Sequence, residues 1–222
     1  MKRLFKICNL KVLYSVSGLL CLLVVIGLFA GPVFGGDTPL IEHFDLVESF
    51  PGQLQLGDTG APVVLTEYSD FRCFFCQRFG VETFPEIFRE YILTGKLLFQ
   101  FRFFPVGGEQ SVELAKLGIC LDQQDKFWQF KTLFMERFYQ NRPSELSSEL
   151  QVVLDEIDYQ AEQLDSCRES LATDYFLRET VAEAREKAVR STPTVFINQT
   201  KVVGARPFEE FQEIIEQQLD LH

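Results

Sequence analysis

The sequence predicts an α/β fold in which a helical region interrupts a series of strands. Strand-like apolar runs occur at 63–68 and 96–104, and they return at 194–203. Between them, residues 107–173 carry apolar side chains at helical spacing. A Cys-x-x-Cys motif, Cys73-Phe74-Phe75-Cys76, lies where the first long strand gives way to a helix. The order of these elements and the position of the cysteine pair define the predicted class.

The first half of the chain predicts two strands joined by a helix. Residues 52–57 alternate as a short strand does, and a Gly-Asp-Thr-Gly turn leads into the buried strand 63–68. The apolar face of 73–91 is typical of a helix, which Pro85 should kink or divide into two pieces. A Thr-Gly turn then precedes the aromatic-rich strand 96–104.

The second half predicts a group of helices, a hairpin and a last helix. Leucines at 114, 117 and 121 indicate one helix, and phenylalanines at 127, 130, 134 and 138 indicate another. The runs 194–198 and 201–203, separated by Gln-Thr, predict a β-hairpin. A final helix follows Pro207.

The two thiols of the Cys-x-x-Cys motif fall on one face of the first helical turn. Cys73, at the helix N-terminus, meets unpaired backbone N–H groups and the positive end of the helix dipole, which stabilise a thiolate. We therefore predict that Cys73 is the attacking sulfur and that Cys76, a turn deeper, resolves the mixed disulfide. Half of a zinc site and two inert buried cysteines are the alternatives. Zinc needs two further ligands, and the histidines, His43 and His222, lie near opposite ends of the chain.

The first 36 residues predict export. They carry four basic residues and no acidic one, followed by an apolar run from 12 to 30 and a Gly-Pro-Val-Phe-Gly-Gly segment. The run is long for a signal peptide and short for a membrane span. A cleaved signal peptide and a retained membrane anchor therefore both stay open. Leu20, before Cys21, is not the small residue that lipid attachment favours. Cys8 and Cys21 are therefore both interpreted as ordinary apolar residues of this segment.

The charge of the exported part excludes some classes of function. The whole chain has 21 basic and 32 acidic residues, and removing the four N-terminal bases leaves 17 against 32, a net charge of −15. A strongly acidic domain does not favour binding to nucleic acid or to anionic lipid. The 23 phenylalanines are interpreted mainly as core residues, with a few forming an apolar rim around the cysteine pair.

Glu67 is a candidate for proton transfer. It shares a strand face with Val63 and Leu65, so a carboxyl group is predicted where the core should be. Burial near Cys76 would raise the pKa of this carboxyl and let it relay a proton during exchange. A carboxylate at the strand end that reaches water is the alternative.

Together these motifs resemble the DsbA-like thiol–disulfide oxidoreductases, which have a thioredoxin-like fold with an inserted α-helical domain. The resemblance covers about residues 53–220. It is carried by several motifs in the same order, at 57–63, 67–76, 126–128, 191–198 and 203–208.

The resemblance implies roles for individual residues. Cys73 matches the family's nucleophile and Cys76 its resolving cysteine. Thr192-Pro193 matches the cis-proline loop, which lies against the active-site disulfide and binds the substrate backbone. An ordinary trans proline opening an edge strand is the alternative for Pro193, and a simple β-branched strand position is the alternative for Thr192. Glu67 matches the buried acid of some members.

One departure from the best-known members concerns the dipeptide between the cysteines. A histidine there can stabilise the thiolate, and Phe74-Phe75 cannot. The helix dipole, the backbone N–H groups and Arg72 remain as stabilisers. The resemblance also extends to a second cysteine pair, Cys120 and Cys167, which it implies to be a structural disulfide; two free buried thiols are the alternative.

The predicted domains follow from these assignments. Residues 1–36 are the signal peptide or membrane anchor and 37–52 a linker. Residues 53–106 form the first part of the thioredoxin-like domain, 107–188 the inserted helical domain and 189–222 the second part. Dithiol exchange needs neither cofactor nor metal, and a monomer is expected.

The function predicted is that of an extracytoplasmic enzyme, in the periplasm or on the outer face of the cytoplasmic membrane. It would introduce disulfides into unfolded or folding exported proteins. By family analogy its reoxidant is a membrane quinone enzyme, either DsbB-like or vitamin K epoxide reductase-like. A reductase or isomerase using the same site is one alternative. A chaperone-like, peptide-binding module with an incidental cysteine pair is the other.

Overall fold

A mixed β-sheet forms the centre of the molecule. The computed structural model describes Leu40, Phe44, and residues 49–50, 52–143 and 145–221. In these residues the strand order is β1-β2-β4-β3-β5-β6, with β3 and β4 parallel and the other neighbours antiparallel. The strands are β1 (Ser49–Phe50), β2 (Gln55–Leu56), β3 (Val63–Ser69), β4 (Leu97–Phe103), β5 (Thr194–Ile197) and β6 (Thr200–Val203).

The helical connection between β3 and β4 is built from short segments. Helix α1 (Phe74–Arg78) continues through a π-helical turn (Phe79–Thr83) into α2 (Phe84–Ile87) and a second π-helical turn (Phe88–Ile92). Pro85 lies in the first turn of α2, where its missing N–H is tolerated. The helical connection changes from π-helical to α-helical geometry at Phe84, one residue before Pro85, and is not interrupted there.

The remaining helices follow β4 and β6. Between β4 and β5 the chain forms α3 (Glu109–Asp122), α4 (Phe127–Asn141), α5 (Leu146–Asp155), α6 (Ala161–Arg168) and α7 (Leu171–Glu186). After the β5–β6 hairpin it ends in α8 (Phe208–Leu219). This is the thioredoxin-like α/β fold with a helical insertion that the order of elements predicts.

The two faces of β3 pack against different helices. Val63, Leu65, Glu67 and Ser69 alternate onto one buried face, paired in register with Leu97, Phe99, Phe101 and Phe103 of β4. On that face Phe79 after α1 lies 5.3 Å, centroid to centroid, from Phe211 of α8. On the other face the Tyr68 hydroxyl donates a hydrogen bond to Glu183 of α7 at 2.7 Å. The sheet is thus covered on both sides.

An aromatic cluster joins the insertion to the sheet. The Phe71 ring lies within 6.3 Å, centroid to centroid, of the rings of Phe101, Phe103, Phe127, Phe130 and Phe134. Such clustered rings bury large areas and gain edge-to-face contacts. Helix α4 is therefore packed directly on the strand end that leads to the cysteine pair.

The N-terminal part of the described structure differs in one respect from the sequence prediction. Residues 49–50, within the segment interpreted as a linker, pair with β2, and Leu40 and Phe44 pack on the core. In the sequence, the apolar residues of 37–52 are scattered among prolines and charged residues, so neither a helical nor a strand periodicity indicates structure there. The predicted export segment lies outside the described residues. Among the described residues, no helix is both long and apolar enough to cross a bilayer.

Candidate functional site

Cys73 lies at the point where β3 and its loop turn into α1. It is the N-cap residue, with extended backbone angles, and its carbonyl oxygen accepts the backbone N–H groups of Cys76 and Gln77 at 3.0 Å each. No acidic residue occupies the first turn of α1. The Cys73 thiol, half-buried, therefore meets the positive end of the helix without a competing carboxylate.

Cys76 is fully buried one turn further along the same helix. Its sulfur lies 3.5 Å from the backbone nitrogen of Asp70, which donates to it. Both thiols of the motif are free in this structure. The sulfur that can meet another protein is consequently that of Cys73.

Hydrogen bonds and burial separate the pKa values of the two thiols. A hydrogen bond from Cys76 is the main cause that lowers the pKa of Cys73 to about 6. The Thr192 side chain and the backbone N–H groups of Cys76 and Phe75 contribute to the shift, and burial opposes it. Burial, together with the hydrogen bond to Cys73 and the nearby negative charges of Cys73 and Glu67, raises the pKa of Cys76 well above its ordinary value. At neutral pH Cys73 is a thiolate and Cys76 a thiol.

Arg72 contributes differently from the sequence prediction. Its guanidinium is exposed and donates a hydrogen bond to Gln110 of α3. The lowered pKa of Cys73 comes from hydrogen bonds within the first turn and from Thr192.

Asp70 holds the loop that presents the cysteine pair. One of its carboxylate oxygens accepts the Arg72 N–H at 2.9 Å, and the other accepts the N–H groups of Val106 and Gly107 at 2.8 and 2.9 Å. The carboxylate is nearly completely buried. Sequence reasoning did not select Asp70; an acid three residues before the motif, at a strand end, was the available signal.

The Thr192-Pro193 segment lies against Cys73. The Cys73 thiol donates to the Thr192 carbonyl oxygen at 3.3 Å. The Thr192–Pro193 peptide bond is cis, and the Pro193 carbonyl oxygen accepts the N–H of Gly204 at 2.8 Å. The structure thus brings together three residues that sequence reasoning selected, although 119 residues separate Cys73 from Thr192.

Glu67 faces the core beneath the cysteine pair. Its side chain has no exposed surface, and neither carboxyl oxygen accepts a hydrogen bond from the described residues. Burial raises the pKa of this carboxyl, and the positive charge of Lys131 opposes the shift. The alternative in which Glu67 reaches water at the strand end is therefore wrong.

Lys131 of α4 is a buried cation that sequence reasoning missed. It is 1% exposed, and its ammonium lies 4.1 Å from the centroid of the Phe84 ring. The signal was present: residue 131 lies on the apolar stripe of α4 marked by Phe127, Phe130 and Phe134.

The dipeptide rings form part of the surface around Cys73. Phe74 stacks on Tyr139 near the end of α4, with 5.4 Å between centroids, and the guanidinium of Arg142 lies 4.5 Å from its ring centre. Phe75 is 49% exposed beside Arg78. A cavity of about 410 Å³ opens next to Phe74; its lining includes Arg72, Phe134, Phe138, Arg142 and Leu146.

The second cysteine pair lies away from the motif. A disulfide joins Cys120 of α3 to Cys167 of α6, with an S–S distance of 2.04 Å and 5.7 Å between Cα atoms. The Thr173 hydroxyl lies 3.4 Å from the Cys167 sulfur. Among the described residues, no three His, Cys, Asp or Glu side chains cluster as a metal site would require.

This fold is shared with known proteins. A family model described as thioredoxin matches residues 49–217. The chain therefore belongs to the thioredoxin family. Disulfide bond formation protein D of Bacillus subtilis is 25% identical over 179 residues, which span 77% of this chain and 79% of that protein. The probable disulfide bond formation protein D of Bacillus anthracis is 27% identical, over 89% of this chain and 90% of its own length.

Solved structures show the same fold. The crystal structure of oxidised BdbD from Bacillus subtilis superposes with a TM-score of 0.68 at 22% identity, covering 78% of this chain and 96% of BdbD. That of α-DsbA1 from Wolbachia pipientis gives a TM-score of 0.64 at 25% identity, covering 78% and 94%. Fold, relatives and paired thiols together define this chain as a DsbA-like thiol–disulfide oxidoreductase.

Proposed function

We propose that this protein introduces disulfide bonds into exported proteins outside the cytoplasm, by dithiol–disulfide exchange through Cys73 and Cys76. The observation that carries the proposal is the contrast between the two sulfurs. Cys73 is accessible and has a pKa of about 6, whereas Cys76 is buried and its pKa is raised. An exposed, stabilised thiolate is a good leaving group, so a disulfide ending in Cys73 is readily transferred to a substrate.

The exchange has two steps. A substrate thiolate attacks the Cys73 sulfur of the Cys73–Cys76 disulfide, a mixed disulfide forms, and Cys76 leaves and takes up a proton. A second substrate thiolate then attacks the substrate sulfur of the mixed disulfide and releases Cys73 as the thiolate. In this scheme Thr192 and Pro193 contact the substrate backbone, and Glu67 exchanges the proton with Cys76. The Phe74 cavity offers mixed apolar and cationic walls for substrate side chains.

The family supplies the remaining parts of the proposal. The relatives named for disulfide bond formation support oxidation as the direction and an extracytoplasmic location, reached through the predicted N-terminal segment. A membrane quinone enzyme, DsbB-like or vitamin K epoxide reductase-like, would reoxidise the reduced pair. In the proposed division of the chain, residues 107–188 are the inserted domain between the two parts of the thioredoxin-like domain.

Two substitutions test the roles of the thiols. Cys73→Ser is expected to abolish oxidation of a reduced, unfolded substrate protein, because the protein then has no Cys73–Cys76 disulfide for the substrate thiolate to attack. Cys76→Ser, offered a protein disulfide, is expected to accumulate a mixed disulfide through Cys73, which non-reducing gels and peptide mass mapping detect. Cys120→Ala/Cys167→Ala serves as the control that keeps exchange. Full activity of Cys73→Ser would favour the peptide-binding alternative instead.

The direction of the reaction requires a separate measurement. We expect the reduction potential of the Cys73–Cys76 pair, equilibrated against glutathione buffers, to be more oxidising than that of a structural disulfide, because the reduced form contains a stabilised thiolate. A strongly reducing potential would support the reductase alternative.

A further inference from the structure

Each ring of the dipeptide between the two cysteines carries an arginine. The guanidinium of Arg142, just after α4, lies 4.5 Å from the centre of the Phe74 ring, and that of Arg78 lies 5.1 Å from the centre of the Phe75 ring. The two rings meet edge to face, with 5.6 Å between their centroids, so both guanidinium groups belong to one surface. Arg72, immediately before the motif, adds a third at the cavity beside Phe74. We call these three residues the arginine cluster.

Arg142 has a backbone conformation that points to a role beyond ending the helix. Its φ of 46° and ψ of 53° lie in the left-handed region, where glycine or asparagine is usual after a helix. Holding a larger residue there costs conformational free energy. The side chain placed by this conformation packs over Phe74, the neighbour of the reactive cysteine. The contact with Phe74 accounts for an arginine at this position, whereas helix termination does not.

The arginine cluster retains hydrogen-bonding capacity for a ligand. Arg72 donates to the Gln110 side chain and Arg78 to the Ala205 carbonyl oxygen at 2.6 Å, and both acceptors are uncharged. A guanidinium packed over a ring still presents an edge of N–H groups, which matches the geometry of a carboxylate. The salt bridges between described residues use other cations, namely Arg89, Arg102, Lys116, Arg137 and Arg168.

The accessible charge around Cys73 differs in sign from that of the chain. The sequence has 21 basic and 32 acidic residues, a net charge of −11. Beside the arginine cluster, Glu145 lines the cavity and Glu82 accepts a hydrogen bond from Tyr139. Asp70 is buried, and its carboxylate is held by backbone N–H groups. Three accessible cations therefore outnumber the two accessible carboxylates described at this surface.

We infer that the arginine cluster selects substrates in which acidic residues flank the reactive cysteine. The inference rests on the proposed exchange and names its substrate class. As the substrate thiolate attacks the Cys73 sulfur, a flanking carboxylate accepts N–H groups of Arg142 or Arg78. The bond from the substrate sulfur to Cys73 forms, the Cys73–Cys76 bond breaks, and Cys76 leaves and takes up a proton. A second substrate thiolate then releases Cys73 as the thiolate.

The net charge of the whole chain predicts the opposite preference. A strongly negative protein attracts cationic peptides and repels anionic ones at long range. A preference for acidic sequences must therefore come from contacts at the arginine cluster. The sign of the preference distinguishes the two effects.

Three synthetic dithiol peptides measure this preference. They share one sequence except for the residues flanking each cysteine, which are glutamate, glutamine or lysine. Acid quenching and mass spectrometry give the rate at which the oxidised protein converts each peptide to its disulfide at low salt. Dividing by the rate of the same peptide with hydroxyethyl disulfide, which is uncharged, corrects for the pKa of the peptide thiols. The glutamate peptide should then react about tenfold faster than the lysine peptide.

Matched variants assign the preference to the cluster. In Arg142→Asn/Arg78→Gln, where asparagine suits the left-handed conformation, the ratio of the two rates should fall to about twofold or less. Lys96→Gln removes an exposed positive charge just before β4, at the opposite end of the parallel β3–β4 pair from Cys73, and should keep the tenfold ratio.

Two results would overturn the inference. One is a faster reaction of the lysine peptide with the unchanged protein, and the other is an unaltered ratio in a folded double variant. If the double variant does not fold, raising the salt concentration to about 0.5 M should bring the ratio in the unchanged protein toward one, and a ratio independent of salt would overturn the inference. Failure to oxidise any of the three peptides would instead refute the proposed function.

Discussion

The reactivity of the two thiols depends on one turn of helix. Cys73 meets donors from its own turn and from Thr192, while Cys76 lies beneath it among apolar side chains. The largest contribution to the lowered pKa of Cys73 is the hydrogen bond from Cys76. The resolving thiol thus activates the attacking one before it takes part in the chemistry.

Replacing Cys76 by alanine should therefore make Cys73 a more ordinary thiol. In Cys76→Ala, the pKa of Cys73 should rise from about 6 toward the usual thiol value, because its principal donor is absent. Alkylation of the reduced protein by iodoacetamide, followed at pH 4 to 10, measures this pKa. Phe75→Ala, which keeps the Phe75 backbone N–H, is the control and should leave the profile in place. An unchanged profile in Cys76→Ala would assign the stabilisation to the helix terminus alone.

Asp70 shows how a residue outside the motif organises it. Its carboxylate accepts three backbone N–H groups from two loops, at Arg72 and at Val106 and Gly107. Asp70→Ala should destabilise the protein by about 3 kcal/mol, because these donors lose a charged acceptor. Urea denaturation measures the change. Asp58→Ala, which removes an exposed acceptor for one N–H, should cost much less. Equal losses in the two variants would contradict the role given to Asp70.

Among the elements, α4 connects the insertion to the redox site. Its phenylalanines pack around Phe71, its end carries the ring that stacks on Phe74, and its buried face carries Lys131. The helical insertion thus supplies side chains to the surface around the cysteine pair.

The disulfide between α3 and α6 belongs to a different part of the insertion. Cys120 and Cys167 are 47 residues apart, and closing a loop of this size stabilises a fold by on the order of 4 kcal/mol through the unfolded state. Cys120→Ala/Cys167→Ala should therefore lower the melting temperature while keeping exchange activity. Calorimetry and an insulin reduction assay measure the two properties. An unchanged melting temperature with an altered reduction potential would make this pair part of the mechanism.

For the whole molecule, Asp122 links stability to pH. At the end of α3 its carboxylate accepts the N–H groups of Gly52 and Leu54 at 2.6 and 3.3 Å, which ties the start of β2 to the insertion. Burial raises its pKa from 3.8 to about 6, although these two N–H groups oppose the shift. Ionisation is consequently easier in the unfolded chain than in the folded protein.

The sign of the resulting pH dependence follows from this shift. A carboxyl whose pKa is raised on folding contributes stability below its unfolded pKa, and the contribution is lost as pH rises through the folded pKa. For Asp122 the loss falls between pH 3.8 and about 6 and amounts to at most about 3 kcal/mol. In Asp122→Asn the unfolding free energy should lack this decrease, as urea denaturation at a series of pH values would show. If the unfolding free energy depended on pH in the same way in both proteins, the role given to Asp122 would be contradicted.

Much of the architecture could be predicted because it depends on local patterns. The alternation of 63–68, the stripe of α4 and the helix-terminal position of Cys73 are properties of neighbouring residues. The sequence alone therefore determined the order of elements, the redox motif and the division of roles expected for its two sulfurs.

Tertiary structure decided which distant residues meet at that motif. Whether Glu67 reaches water or the core depends on helices that follow it by many residues. Lys131 lies over the ring of Phe101, the β4 neighbour of Glu67, only because α4 packs on the sheet. The sequence position of Lys131 shows that it belongs to an apolar stripe, but not which rings surround its ammonium. A charge can be buried only where a second charge or a set of donors compensates it, and that compensation is a property of the folded core.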